Sequence, residues 1–239
     1  STREQPAPLT EAPSLQLWHY RLHKSAKDIE ALKTRTTDLV IAQDRICNGC
    51  AEGDLKALRH VSSKRPRVKN VGDLVYSDVF GPYPVHSFNR HKYFIVFLDE
   101  ASGYLATYFT RSTHSQAIRE ALTDFVTLIG RREIRALRTD NASYWHGAVK
   151  DFCRSRHIRQ EFSPPYSHQS AGAAERAIGR ITQLTRKLVA AANCPCEFWP
   201  YAVRMAALIL NKTGNSPDPS KSPFEMFFGV CPSMSDIKV

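Results

Sequence analysis

Three stretches, DLVYSDVFG (73–81), KYFIVFLDE (92–100) and GYLATYFTR (103–111), decide the fold class. Each is rich in β-branched and aromatic residues, and the gaps between them hold turn-forming Gly, Pro, Ser and Asn. They predict three consecutive strands of an antiparallel meander. Further along, SQAIREALTDFVTLIG (115–130) has the 3.6-residue apolar period of an amphipathic helix, and IRALRTD (134–140) is a short apolar run ending in an acid. HGAVKDFCRSRH (146–157) reads as helix and IRQEFS (158–163) as strand. Two long helices are expected at about 171–193 and 195–212, separated by Asn193 and Pro195. Three strands, then helix and strand in alternation, then helices, make an α/β domain over 71–213 with a mixed sheet covered by helices. Residues 214–239 read as the start of a further C-terminal region.

Before the meander the texture is different. Residues 1–14 are rich in Pro, Thr and Ala and read as a disordered lead-in. Leu15, Trp18, Leu22, Ile29 and Leu32 recur at helical spacing within a small unit spanning 15–57. A basic linker follows at 58–70, containing VSSKRPRVKN (61–70); its SSKRPRVK (62–69) suits a nuclear import signal or, equally, a linker that contacts phosphates. The chain lacks an initial Met and reads as a piece of a longer polypeptide.

The 239 residues carry a formal charge of +10 and are 42% hydrophobic, enough for one ordinary core and a small satellite. The excess of Lys and Arg points to a polyanionic partner, nucleic acid above all. No apolar run approaches the ~20 residues of a membrane helix, and nothing reads as a secretory signal. Six unevenly placed cysteines suit a reducing compartment better than a disulfide framework. Of these, Cys153, Cys194, Cys196 and Cys231 read as buried or incidental thiols.

The other two, Cys47 and Cys50, form a CxxC downstream of His19 and His23, which lie one helical turn apart. Two imidazoles and two thiolates are a closed tetrahedral set for one structural Zn²⁺. A His pair alone reads as surface decoration and a CxxC alone as a redox motif. Together, in a unit with few apolar residues, they predict that metal binding supplies its folding energy.

Three acids stand at informative places: Asp78 inside the first strand, Asp140 at the end of the fourth, and Glu175 on the first long helix. Asp99 also ends a strand and competes for a role. Carboxylates gathered in a net-positive chain make sense as ligands of Mg²⁺ or Mn²⁺. Two such ions serve in-line displacement at phosphorus. On the helix, Ala174, Ile178, Ile181, Leu184 and Leu188 form an apolar side, and Arg176, Arg180, Gln183 and Lys187 a basic stripe suited to a phosphate backbone. Glu175 falls between them, and Gly179 leaves room for a ligand.

In order along the chain, LWHYRLHKSA, CNGC, LVYSDVFGP, KYFIVFLDEASGY, LRTDN, PPYSHQSAGAAER, FWPYAVRMAALILNKT and SPFEMFFGVCPS resemble the integrases of copia-type (Pseudoviridae) retrotransposons, and more distantly those of retroviruses. The resemblance implies an RNase H-like five-stranded mixed sheet preceded by an HHCC zinc domain. It implies an Asp, Asp, Glu metal triad falling on Asp78, Asp140 and Glu175, with two Mg²⁺ (or Mn²⁺) per site, and it leaves Asp99 out. Ala142 stands where the family usually has Gly. The implied activity is joining of the 3′-OH ends of element cDNA to target DNA, with Tyr166, Gln169, Arg176, Arg180 and Lys187 as candidates for gripping those ends. A homo-oligomer, a tetramer by resemblance, is expected, passing from a cytoplasmic particle to the nucleus. A domesticated DNA-binding or assembly protein without catalysis is the alternative, and a nuclease without joining a third reading.

Overall fold

The computed structural model describes residues 15–22, 24, 26–32, 68–163, 168–214 and 216–237. The three meander stretches form β1 (Val75–Phe80), β2 (Tyr93–Asp99) and β3 (Leu105–Thr110), paired antiparallel in sequence order. Two short strands, β4 (Ala136–Thr139) and β5 (Arg159–Phe162), extend the sheet on the other side of β1 and run parallel to it and to each other. The order is β3-β2-β1-β4-β5, the expected mixed five-stranded sheet. No described helix is long and apolar enough to cross a membrane.

Helices cover both faces. α1 (Leu15–Leu22) and α2 (Ala26–Ala31) precede the sheet, and Trp18, Leu22, Ile29 and Leu32 are buried. α3 (Ser115–Ile129) and α4 (Ala148–Ser155) make the crossovers into β4 and β5. α3 turns Ile118, Leu122, Phe125 and Ile129 inward at helical spacing. It stops at Gly130, whose positive φ of 73° lets its N–H reach Val126 and Thr127 carbonyls. α5 (His168–Ala192) and α6 (Trp199–Thr213) cover the opposite face, with Asn193 at φ 45° breaking the chain between them.

β2 is buried on both sides, and its pleat divides its side chains between two cores. Phe94, Val96 and Leu98 meet Ala177, Ile181, Val203 and Ile209 of α5 and α6. Ile95 and Phe97 meet Ile118, Leu122 and Phe125 of α3, the Phe97 and Phe125 rings stacking at 4.8 Å. Each fully buried ring or branched side chain contributes roughly 1.5–3 kcal/mol through area removed from water.

Two polar ties fix the periphery. Asn211 on α6 uses its amide to donate to the Leu105 carbonyl and accept from the Leu105 N–H, both at 2.8 Å. Residues 216–237 pack back onto the domain: α7 (Pro223–Phe228) buries Phe227 in the core under α3, and Met234 and Ile237 enter the other core. Lys212, almost wholly buried, donates to Asp236 and to the Ser233 carbonyl there.

Candidate active site

β1 and β4 are parallel neighbours, with Tyr76 opposite Arg138. Two residues further along each strand stand Asp78 and Asp140, so the pleat points both acids to the face bearing Tyr76 and Arg138. α5 crosses that face and brings Ala174 and Glu175 over it. Asp78, Asp140 and Glu175 line one cleft together with Ser77, Arg138 and Thr139.

The cleft is short of positive charge. Among the described residues, none of the three carboxylates forms an ion pair. Arg138, which also lines the cleft, lies over the Tyr76 ring and donates its Nε and Nη2 to Glu161 on β5, which Arg159 also engages. Burial pushes the Asp78 carboxyl up to about 6; the negative charges of Asp140 and Glu175 add to this, and an N–H from Val79 at 2.7 Å opposes it. As placed, the acids share the cleft without closing on one point: no group of three His, Cys, Asp or Glu among the described residues forms a metal cage. The chemistry of the set, all hard oxygen donors and no competing cation, fits Mg²⁺ or Mn²⁺.

Asp140 is held tightly. Its Oδ1 accepts from the Trp145 indole Nε1 at 2.7 Å and from the Ala142 N–H at 3.3 Å. Ala142 sits at φ −67°, so the glycine usual at this place in the resembling family is not required for the turn. Sequence reasoning missed Trp145. Its signal was a tryptophan five residues after a strand-end acid, in SYW (143–145), where an indole N–H needs an acceptor.

Asp99 has a different task. It is fully buried and accepts from the Gly72 N–H at 2.8 Å and from the N–H and hydroxyl of Ser102, at 2.8 and 2.6 Å. It ties the entry to β1 to the β2–β3 turn and lies outside the cleft.

On α5, Ala174, Ile178, Ile181 and Leu184 are buried and Leu188 partly so, while Glu175, Arg176, Gly179 and Arg180 are exposed. A Cβ added at Gly179 would meet nothing within 4 Å. Lys187 does not belong to the basic stripe: it is only 8% exposed. An ideal wheel puts it about 20° from Arg176, but neighbouring structure covers it. Arg186 is exposed on the same turn.

Of the expected zinc ligands, His19 is described; its Nδ1 lies 2.6 Å from the Lys24 carbonyl, an outer contact of the kind that orients a ligating imidazole. His23, Cys47, Cys50, Tyr166 and the side chain of Gln169 lie outside the described residues.

Comparison with known proteins points to one family. Residues 64–168 match the family described as "Integrase core domain". The chain is 30% identical over 233 residues to the retrovirus-related Pol polyprotein from transposon TNT 1-94 of Nicotiana tabacum, covering 95% of this chain and 17% of that protein. It therefore spans less than a fifth of the length of that relative. In shape it resembles the HTLV-2 integrase catalytic core domain in complex with magnesium, with a TM-score of 0.53 and 21% identity, over 66% of this chain and 97% of the other. It also resembles a chain in the structure of the simian T-cell lymphotropic virus intasome in complex with PP2A regulatory subunit B56 gamma. There the TM-score is 0.58 at 17% identity, over 90% of this chain and 73% of the other. At such identities the structural likeness shows the fold alone. With an RNase H-like sheet, three acids in one cleft and almost the whole of this chain aligned to part of a transposon Pol polyprotein, residues 64–168 are an integrase core domain, and the chain belongs with the integrase regions of retrotransposon Pol polyproteins.

Proposed function

We propose that this chain joins the 3′-OH ends of an element's linear cDNA to target DNA, by in-line displacement at a target phosphate. The observation that carries the reading is the convergence of Asp78, Asp140 and Glu175 on one unneutralised cleft. Asp78 and Asp140 would hold divalent cations from fixed strand positions. Glu175, exposed on α5 and with three rotatable bonds, is the member that swings to complete the set. Such cations, when bound, activate the attacking 3′-hydroxyl and stabilise the departing 3′ oxygen. The magnesium present in the HTLV-2 core structure supports this choice of ion.

Arg176 and Arg180, exposed on the helix beside Glu175, would lie along the DNA backbone and hold its phosphates in line with the carboxylates. Tyr166 and Gln169 belong to the same proposed grip. Two cDNA ends joined to two target strands call for more than one chain, and a tetramer is the assembly proposed. His19, His23, Cys47 and Cys50 are proposed to hold one structural Zn²⁺, with the orientation of His19 in support. The passage from particle to nucleus belongs to the same reading; a reporter fused to residues 61–70 that stays out of nuclei would count against that run as the import signal.

The test is a joining assay with labelled element-end DNA, a plasmid and Mg²⁺. Glu175→Gln keeps the size of the side chain and removes its charge, so joining should fall by at least about a hundredfold with DNA affinity retained. Joining that survives the substitution would refute the assignment.

A further inference from the structure

We propose that Trp145 is a positioning residue for the cleft: its indole N–H pins one oxygen of Asp140, so that the carboxylate offers only the other to a divalent cation. The inference rests on the metal-dependent reading above and assigns a role to a side chain which that reading leaves unused.

The ring is enclosed. Trp145 is fully buried, in the core that contains Leu137, Val149 and Cys153. Its backbone is fixed from two sides: its N–H donates to the Ala142 carbonyl at 3.1 Å, and its carbonyl accepts from the Gln160 side chain on β5 at 3.0 Å. An indole has one polar atom, a donor that never accepts, so it cannot itself ligate a cation. Here that atom meets Asp140 Oδ1 at 2.7 Å, the short length of a charge-assisted bond. The Ala142 N–H shares the same oxygen, and the Thr139 hydroxyl holds the Asp140 backbone carbonyl at 2.8 Å. Oδ2 accepts no hydrogen bond among the described residues, and Asp140 lines the cleft. A carboxylate so fixed binds through one oxygen in one direction, as the strict octahedral geometry of Mg²⁺ requires; an unpinned one would also rotate or bind through both oxygens. Partners of this kind typically change metal affinity 10–100-fold.

The test uses the full chain with Trp145→Phe, which keeps an aromatic ring in the core and removes the N–H. Mg²⁺ is titrated against the rise in thermal midpoint of the metal-bound protein and, separately, against joining rate. The apparent Mg²⁺ affinity should fall by about tenfold, while joining at saturating Mg²⁺ recovers towards the wild-type rate. Unchanged Mg²⁺ dependence in W145F would overturn the proposal. A second measurement needs no variant: in the metal-free wild-type protein, adding Mg²⁺ should move the Trp145 indole N–H resonance. The Trp199 indole, which donates to the Val85 carbonyl at 3.0 Å, should not move. A stationary Trp145 resonance overturns the proposal even if W145F fails to fold. Absence of joining by the wild-type chain would instead overturn the functional reading, and the Mg²⁺ titrations would still judge Trp145.

Discussion

Replacing Asp78 with Asn should stabilise the metal-free protein, and only above acid pH. Moving a carboxyl from its ordinary 3.8 to about 6 disfavours its charged form by about 3 kcal/mol, at roughly 1.4 kcal/mol per tenfold change. Asp78 is half-buried beside an open cleft, so solvent screening lowers the expected figure to about 2 kcal/mol. The sign follows from linkage. The folded value lies above the unfolded one, so the stability of the neutral form is fully present below about pH 4 and is lost as the pH rises through about 6. Asparagine never ionises and escapes that loss. Urea unfolding of wild type and D78N, metal-free, between pH 4 and pH 8 should give curves that coincide at the acid end and separate by about 2 kcal/mol at the alkaline end. For a chain of this size that is about 4–8 °C in thermal midpoint. Mg²⁺ should then close the gap by stabilising the wild type and not D78N. Equal stabilities at pH 8, or the same difference at both ends of the range, would refute the reasoning that burial and like charge strain this carboxylate.

Arg176→Ala and Arg180→Ala should each weaken binding to DNA of any sequence and reduce the slope of log affinity against log salt by about 1. Lys187→Ala should leave that slope unchanged and instead lower the thermal midpoint; a salt slope altered by K187A and untouched by R176A would reverse the assignment. Zinc chelation should expose residues 15–55 to proteolysis while the sheet domain keeps its midpoint, and a purified protein containing no zinc would remove the HHCC proposal.

The meander was legible because its strands are half or wholly buried: β2 reads as an unbroken apolar run, and such a run bounded by turns has few alternatives to a central strand. Asp78 stood out for a related reason, since an acid inside an apolar strand is costly without a partner. Asp99 was harder. As a sequence feature it equals Asp140, a strand-end acid; the difference lies in Gly72 and Ser102, whose bonds turn it inward. The helical wheel located Glu175 and Arg176 correctly, yet placed Lys187 on the open side. A wheel describes an isolated helix, and where along its length neighbours begin to cover it is decided by packing between distant segments. Trp145 went unnoticed because its partner is set by the turn at 143–145 and by β5, neither of which periodicity describes. Residues 214–239 read only as the start of a C-terminal region; that Phe227, Met234 and Ile237 join the two cores is decided by packing against distant segments.

The clasp between Asn211 and Leu105 has a bearing on solubility. β3 is an outermost strand of the sheet, and its outward backbone groups are a template on which a stray extended peptide could dock and start aggregation. One side-chain amide occupies both the N–H and the carbonyl of Leu105, mimicking the rung that another strand would form. An intruder would have to displace α6 before it could add to that border. The guard keeps crowding from becoming fibrous.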